Sequence, residues 1–464
     1  MRWLAGALAI ALVGVVAWRW DAYFPTSRMA DPPTAAAPGD LRYEIYADPA
    51  EPTVYDLAGD RRGCLAGAAA GLRGPRGRPV EGMTGDLARI AQGVATVRRL
   101  DFTGPVATRL VTDDEIDEHM TRSVDASFEQ GGGRQEERIL KALGIIGPRA
   151  DLKALGRKIV RTQVAGFYVP STKTIFAPAA GDHPSPFEEL ILAHELEHAL
   201  ADQRLGLPIR EHAPPRKGDA SQAKRALIEG DATLTMQQYA LGMLSAGDRA
   251  SLAGDPSVAE AAAATAEIPY FLERSLAFSY DEGALFVCHL YAEGGWKAVN
   301  RAYRNPPRST AEILFPGRYR DEVKPVDPPD PPAPGRGWRD HNVYSFGAAD
   351  LSWLLSAPQG EPTRTPREGA LDVVGWNGGE LHAWSRGRKI ALVATIALRP
   401  ASGLCRKLQE WARLAYPGAT SLAPGLDGAL KTKDLYIQVR CRDDAARLVM
   451  APERTVEALL SDAD

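Results

Sequence analysis

Ser185-Pro-Phe-Glu-Glu-Leu-Ile-Leu-Ala-His-Glu-Leu-Glu-His-Ala-Leu-Ala-Asp-Gln203 is the most sharply bounded helical stretch of the chain. Ser185 is placed to cap the N-terminus. Pro186 takes the first helical position, where its missing N–H is no loss, and Glu188 completes a reciprocal capping box. Gly206 and Pro208 are stop signals, so the helix is expected to run to about Leu205. His194 and His198 are four residues apart, so their imidazoles leave one face with Cβ atoms about 6 Å apart. That separation lets two ring nitrogens reach one zinc ion at ~2.0–2.1 Å. Glu195 follows the first histidine directly and therefore stands beside such an ion, within reach of a water rather than as a ligand. The pattern is short enough to arise on an ordinary helix. Its flanks, Leu190–Ala193 and Ala199-Leu200, are apolar and imply burial, and buried imidazoles and carboxylates need a compensating partner that a metal can supply.

A third protein ligand is expected from the next helix, which begins near Asp219 and runs through Ala240. Glu229, in Glu229-Gly-Asp-Ala232, is the candidate, and Asp231 is the alternative ligand or a residue that orients a ligand histidine. Gly230 costs roughly 1 kcal/mol against Ala inside a helix, which makes sense if this helix must approach the active one closely. The bland reading of Glu229 is a solvated acid beside Arg225. A further long helix, over Glu273–Ala292 with a break, carries Tyr280.

Upstream, Val164–Val169 and Lys173–Ala177 read as a hairpin around Pro170-Ser-Thr. Asp86–Arg99 has helical spacing, Val106–Val111 looks like a strand, and Thr112-Asp-Asp-Glu115 is a second capping box. Glu136–Leu143 and Asp151–Val160 read as short helices. Downstream, Asp327-Pro-Pro-Asp-Pro-Pro-Ala-Pro334 fits no helix or central strand and reads as a stiff linker. Beyond it, strands over Leu381–Ser385 and Lys389–Ile396, a helix over Ser402–Tyr416, strands over Asp434–Val439 and Arg447–Met450 and a helix over Glu453–Leu460 suggest a small ββαββα module.

The chain of 464 residues, 45% hydrophobic and 25% charged, is long enough for two or three domains. With 55 basic and 59 acidic residues, the net charge of −4 gives no reason to expect a nucleic-acid partner. Trp3 to Trp18 carries no charge and nearly spans a ~30 Å hydrocarbon core. It reads as a membrane anchor, the alternative being a cleaved signal segment, although no small-residue cleavage site follows closely. Either way the body of the chain is expected outside the cytoplasm. The proposed parts are an anchor over 1–20, a Pro-, Gly- and Ala-rich tether over 21–83, a main domain over 84–326, the linker over 327–336 and the C-terminal module over 337–464. Of the four cysteines, Cys405 and Cys441 are free to pair in an oxidising compartment, closing a loop of about 36 residues, the alternative being two buried thiols in a reduced module. Cys288, in an apolar stretch, reads as a buried thiol.

His194-Glu-Leu-Glu-His198 followed by a helix bearing Glu229 resembles the zincin metallopeptidases of the glutamate-ligand, or gluzincin, type. Gly166-Phe-Tyr168, Pro170, Thr172-Lys173, His198–Gln203 and Glu229–Ala232 are together similar to motifs of uncharacterised bacterial membrane-associated zinc peptidases. The likeness covers about Asp86 to Tyr319 and is weak beyond. It implies an α+β fold with a helix-rich zincin core, Zn2+ held by His194, His198 and Glu229, and Glu195 as general base in peptide hydrolysis at the bacterial cell envelope. It further implies Tyr280 at the oxyanion, with His212 and His289 as alternatives, and an exposed sheet edge, here Phe167–Ala177, that takes up the peptide substrate. The alternative is a non-enzymatic envelope protein using the same scaffold to bind peptides or partners. An intact Glu195 argues against it, since binding alone needs no general base between two ligands.

Overall fold

A computed structural model describes residues 77–459, apart from 164–165, 179–182, 210–213, 253–254, 256–266, 342, 422–428 and 453–458. The apolar run Trp3–Trp18, most of the tether, Cys64, His212 and most of the last expected helix lie outside the described residues. No helix among the described residues is long and apolar enough to cross a membrane.

The chain is α+β, as its residue pattern indicates. Its first half contains helices α1 (Gly85–Arg98), α2 (Asp113–Glu129), α3 (Gly132–Ala142) and α4 (Leu152–Gln163), with strand β1 (Ala107–Val111) between the first two. Strands β2 (Phe167–Val169) and β3 (Thr174–Pro178) form the expected hairpin, and β1 joins β3 in parallel, giving the order β1-β3-β2. The short strand β2 is therefore an edge. Helix α5 (Pro186–Arg204) follows at once. Its capping box is present in both directions, and Gly206 ends it with φ of 74°. Next come α6 (Gly218–Met243), α7 (Ala246–Leu252) and α8 (Tyr270–Arg304), whose helical backbone breaks at Gly294 and Gly295. Two short helices, α9 (Thr310–Leu314) and α10 (Pro316–Arg320), close this half.

Helices α6 and α8 touch backbone to backbone. A Cβ on Gly230 would lie 2.2 Å from the carbonyl oxygen of Gly283, and one on Gly283 would lie 2.3 Å from that of Ala226. Gly230 thus serves a close approach, but to α8 rather than to the active helix, which corrects the expectation. The contact seats Tyr280, one turn before Gly283, against α6.

The C-terminal half holds more strands than the residue pattern suggests. Strands β4 (Arg339–Asp340) and β5 (Tyr344–Ser345), helices α11 (Ala348–Ser356) and α12 (Pro366–Asp372), strands β6 (Trp376–Arg386) and β7 (Lys389–Leu398), helix α13 (Leu404–Ala415), and strands β8 (Thr420–Ser421), β9 (Leu430–Lys431), β10 (Tyr436–Cys441) and β11 (Ala445–Ala451) follow in order. They build an eight-stranded sheet, β4-β6-β7-β11-β10-β9-β8 with β5 also on β6. One face of this sheet packs on α13, and there Cys405 and Cys441 are bridged with Cα atoms 5.8 Å apart. Cys288 is disulfide-bonded as well, which corrects its reading as a free thiol.

Buried apolar side chains from Val80 to Met450 form one continuous cluster through both halves. In the proline-rich segment, Pro328, Pro331 and Pro334 are buried. That spacing of three is the period of a polyproline II helix, so one edge of the segment lies on the protein.

Candidate metal centre

Helix α5 has no polar face at its centre: His194, Glu195, Glu197 and His198 are all under 9% exposed. It is covered by α1, α6 and the β2–β3 hairpin, which is why so many charged groups end up dry. One potential ligand atom from each of His194, Glu195 and His198 lies within 4.8 Å of the others. Glu229 enters from α6, 7% exposed, and one of its oxygens, Oε2, lies 3.2 Å from Nε2 of His194 and 3.2 Å from Nε2 of His198. It is buried against the histidines, not a solvated helix acid. Ligand atoms at ~2.0–2.1 Å from a tetrahedral zinc stand ~3.3 Å apart, so both separations from the Glu229 oxygen fit such an ion. The donor set also fits chemically: two imidazole nitrogens and a carboxylate suit zinc among the common divalent ions.

Glu195 is held differently. Its Oε2 accepts a hydrogen bond from the backbone N–H of Tyr168 on the edge strand β2 at 2.7 Å. Burial pushes its carboxyl up to about 8, against the pull of the His198 charge. Burial likewise lowers His194. Burial would lower His198 too, but the carboxylates of Glu229, Glu195 and Glu197 outweigh it and raise that imidazole to about 10. Burial opposes ionisation of Glu229, yet the two histidines hold its carboxyl well below the usual range. In the absence of metal the site therefore balances a Glu229 carboxylate against a His198 imidazolium. A bound cation must displace that proton.

Tyr280 is 4% exposed and its ring stacks on His194 at 6.0 Å between centroids. Burial raises its phenol well above the ordinary value, and Glu229 adds to this by charge and hydrogen bonding. The structure thus brings all five candidate residues, His194, Glu195, His198, Glu229 and Tyr280, to one place. His289 pairs with Glu293 instead.

Beneath the histidines lies a group of residues that motif reading misses. Arg98, fully buried on α1, donates to Asp231 at 2.8 Å and lies 3.5 Å from Glu197. Tyr303 also donates to Asp231 at 2.9 Å, and the Trp296 ring covers the guanidinium at 4.4 Å. Asp231 therefore bonds Arg98 and Tyr303 rather than a histidine, contrary to expectation. The carboxylate next to a ligand ring is Glu197, whose Oε2 is 3.8 Å from Nδ1 of His198. The motif residues around the helix end are clamps: Tyr168 donates to Asp202 at 2.7 Å, and Gln203 binds Thr103 and Gly104.

No family model matches the chain. No curated protein matches it either. Among solved structures it is similar to one from Chloroflexus aurantiacus, provisionally described as a hydrolase with a novel fold. That match has 18% identity, covers 57% of this chain and 97% of the other, and has a TM-score of 0.31. Likeness at that level does not establish a shared fold, and the function of this chain rests on its own site.

Proposed function

We propose that the chain is a zinc-dependent hydrolase of peptide bonds, of the zincin type. The observation that carries this reading is the single Glu229 oxygen lying 3.2 Å from both imidazole nitrogens, with an uncommitted carboxylate beside it. His194, His198 and Glu229 would hold the ion. Zinc, when bound, supplies the charge that acidifies a water and polarises the substrate carbonyl. Glu195 takes the proton of the attacking water and passes it to the departing amine. Its Oε2 accepts from the Tyr168 amide, which leaves the other oxygen to take the proton. Tyr280 donates its hydroxyl to the developing oxyanion, and its raised pKa keeps that proton available at neutral pH. The Glu197 carboxylate, 3.8 Å from Nδ1 of His198, would support that ring electrostatically as a ligand.

The same reading places the catalytic body outside the cytoplasm, tethered to the membrane by Trp3–Trp18, with peptides or proteins as substrate. The disulfide-bonded state of Cys405, Cys441 and Cys288 supports it, since such bonds persist in oxidising compartments. The test is release of new amino groups from casein by the zinc-loaded protein. Glu195→Gln should retain the metal and lose 10²–10⁴-fold in rate. Full turnover by that variant would end the mechanism.

A further inference from the structure

Arg225 stands one helical turn before Glu229 on α6, so the two side chains share the face turned to the metal centre. It lies close enough for its charge to act on both Glu229 and Tyr280. Arg225 is half-buried, yet it makes no hydrogen bond or ion pair with any described residue. Glu229, its nearest acid along the helix, is taken up by the two imidazoles.

The fully buried arginines Arg98 and Arg274 behave differently: Arg98 is matched by Asp231 and Glu197, and Arg274 by Asp281 and Glu282. The nitrogens of Arg225 are not sealed from water, so its guanidinium is open to a ligand that enters from solvent. Charge points the same way. With a divalent ion bound, Arg98 and Arg225 would balance the remaining two of the four carboxylates Glu195, Glu197, Glu229 and Asp231, yet none of the four is ion-paired with Arg225, whose charge therefore suits an anionic ligand.

A carboxylate at the end of a peptide substrate is compatible with the spacing along α6. The α-carboxylate of the residue after the cut lies about one residue length, ~3.5 Å, beyond the cleaved bond. The step from Glu229 to Arg225 is of the same scale, ~5–6 Å between Cβ atoms. The planar fork of an arginine also matches a carboxylate with two parallel hydrogen bonds.

We infer that Arg225 receives the free α-carboxylate of the substrate's C-terminal residue, making the chain a carboxypeptidase. This assignment rests on the reading of the site as a hydrolytic metal centre. The experiment is calorimetric titration of zinc-loaded Glu195→Gln protein with N-acetyl-trialanine, as the free acid and as the carboxamide. The free acid should bind 10–100-fold tighter, the range for a charged hydrogen-bonded pair. Adding Arg225→Gln should bring the two affinities within about threefold, and Arg225→Lys should keep part of the difference. Equal affinities before Arg225 is changed, or a free-acid preference that survives Arg225→Gln, would overturn the assignment. If the Arg225 variants do not fold, the comparison in the parent protein alone decides it. Wild-type protein that cleaves free acid and carboxamide equally well sinks the carboxypeptidase and leaves the hydrolase standing. Wild-type protein that cleaves neither these peptides nor casein sinks the hydrolase itself.

Discussion

His194, Glu195 and His198 on one helix, and Asp330, Glu380 and His382 between the proline-rich segment and strand β6, are both sets of imidazole and carboxylate within ligand distance. Their surroundings separate them. At the first, every group is dry and rooted in long packed helices, and no described lysine or arginine is ion-paired to Glu195 or Glu229. At the second, Asp330 is 64% exposed and Arg216 already lies on the acids, 2.6 Å from Asp330 and 3.5 Å from Glu380. His382 adds contacts of 3.4 and 3.5 Å to the same carboxylates. The second cluster is thus partly neutralised by the chain's own Arg216, which ties the segment just before α6 to the C-terminal sheet. Residue type and spacing nominate a metal site; an unmet charge requirement in a dry, rigid setting distinguishes one.

The largest effect that could break this contrast is on metal affinity. Glu229→Ala should weaken zinc by more than the 10- to 100-fold typical of residues that only orient a ligand, whereas His382→Ala should leave affinity within twofold. Competition titration against a chromophoric chelator measures both. Equal losses in the two variants would erase the distinction.

Stability gives the next effect. Arg98→Met leaves Glu197 and Asp231 buried without their cation, and should cost about 3–5 kcal/mol by denaturant unfolding. Arg216→Gln, at an exposed pair, should cost no more than about 1 kcal/mol. Similar losses would mean that the second cluster is as tightly integrated as the first.

A smaller effect sits where α6 begins. Burial pushes the carboxyl of Asp219 up to about 7, although Thr310 donates to it from both backbone and side chain. Between about pH 4 and pH 7 the folded protein therefore holds a proton that the unfolded chain has lost. Stability from this group is full below about pH 4, declines as pH rises through that window and is flat above it. The decline should amount to about 2–4 kcal/mol, and Asp219→Asn should flatten it when unfolding is followed across that range. An unchanged slope would remove Asp219 as its source.

The parts of the molecule readable in advance were those whose signals are local. The Ser185 and Thr112 capping boxes, the hairpin before α5 and the histidine pair all lie within a few residues of what they specify. Glu229 is legible because a catalytic zinc site demands a third protein ligand, and Tyr280 because the resemblance to zincins implies an oxyanion partner. What escaped was non-local or too short to repeat. Arg98 meets Asp231 across 133 residues, and Tyr303 meets it across 72. Strands β4, β5, β8 and β9 are two residues each, too brief to alternate. Helix α11 is buried on every side and shows no apolar stripe, while α12 did carry a signal, the Thr365-Pro-Arg-Glu368 capping box. The pairing of Cys405 with Cys441 followed from helix and strand positions. Cys288 was misread because an apolar setting suits a thiol and a disulfide equally.

The contrast between the two clusters is tested most directly by counting metal. The protein, loaded with zinc and desalted, should carry one ion per chain by native mass spectrometry, and His382→Ala should carry one as well. The double variant His194→Ala, His198→Ala should carry none. An ion that stays in that double variant and is lost with His382→Ala would contradict the account at its centre.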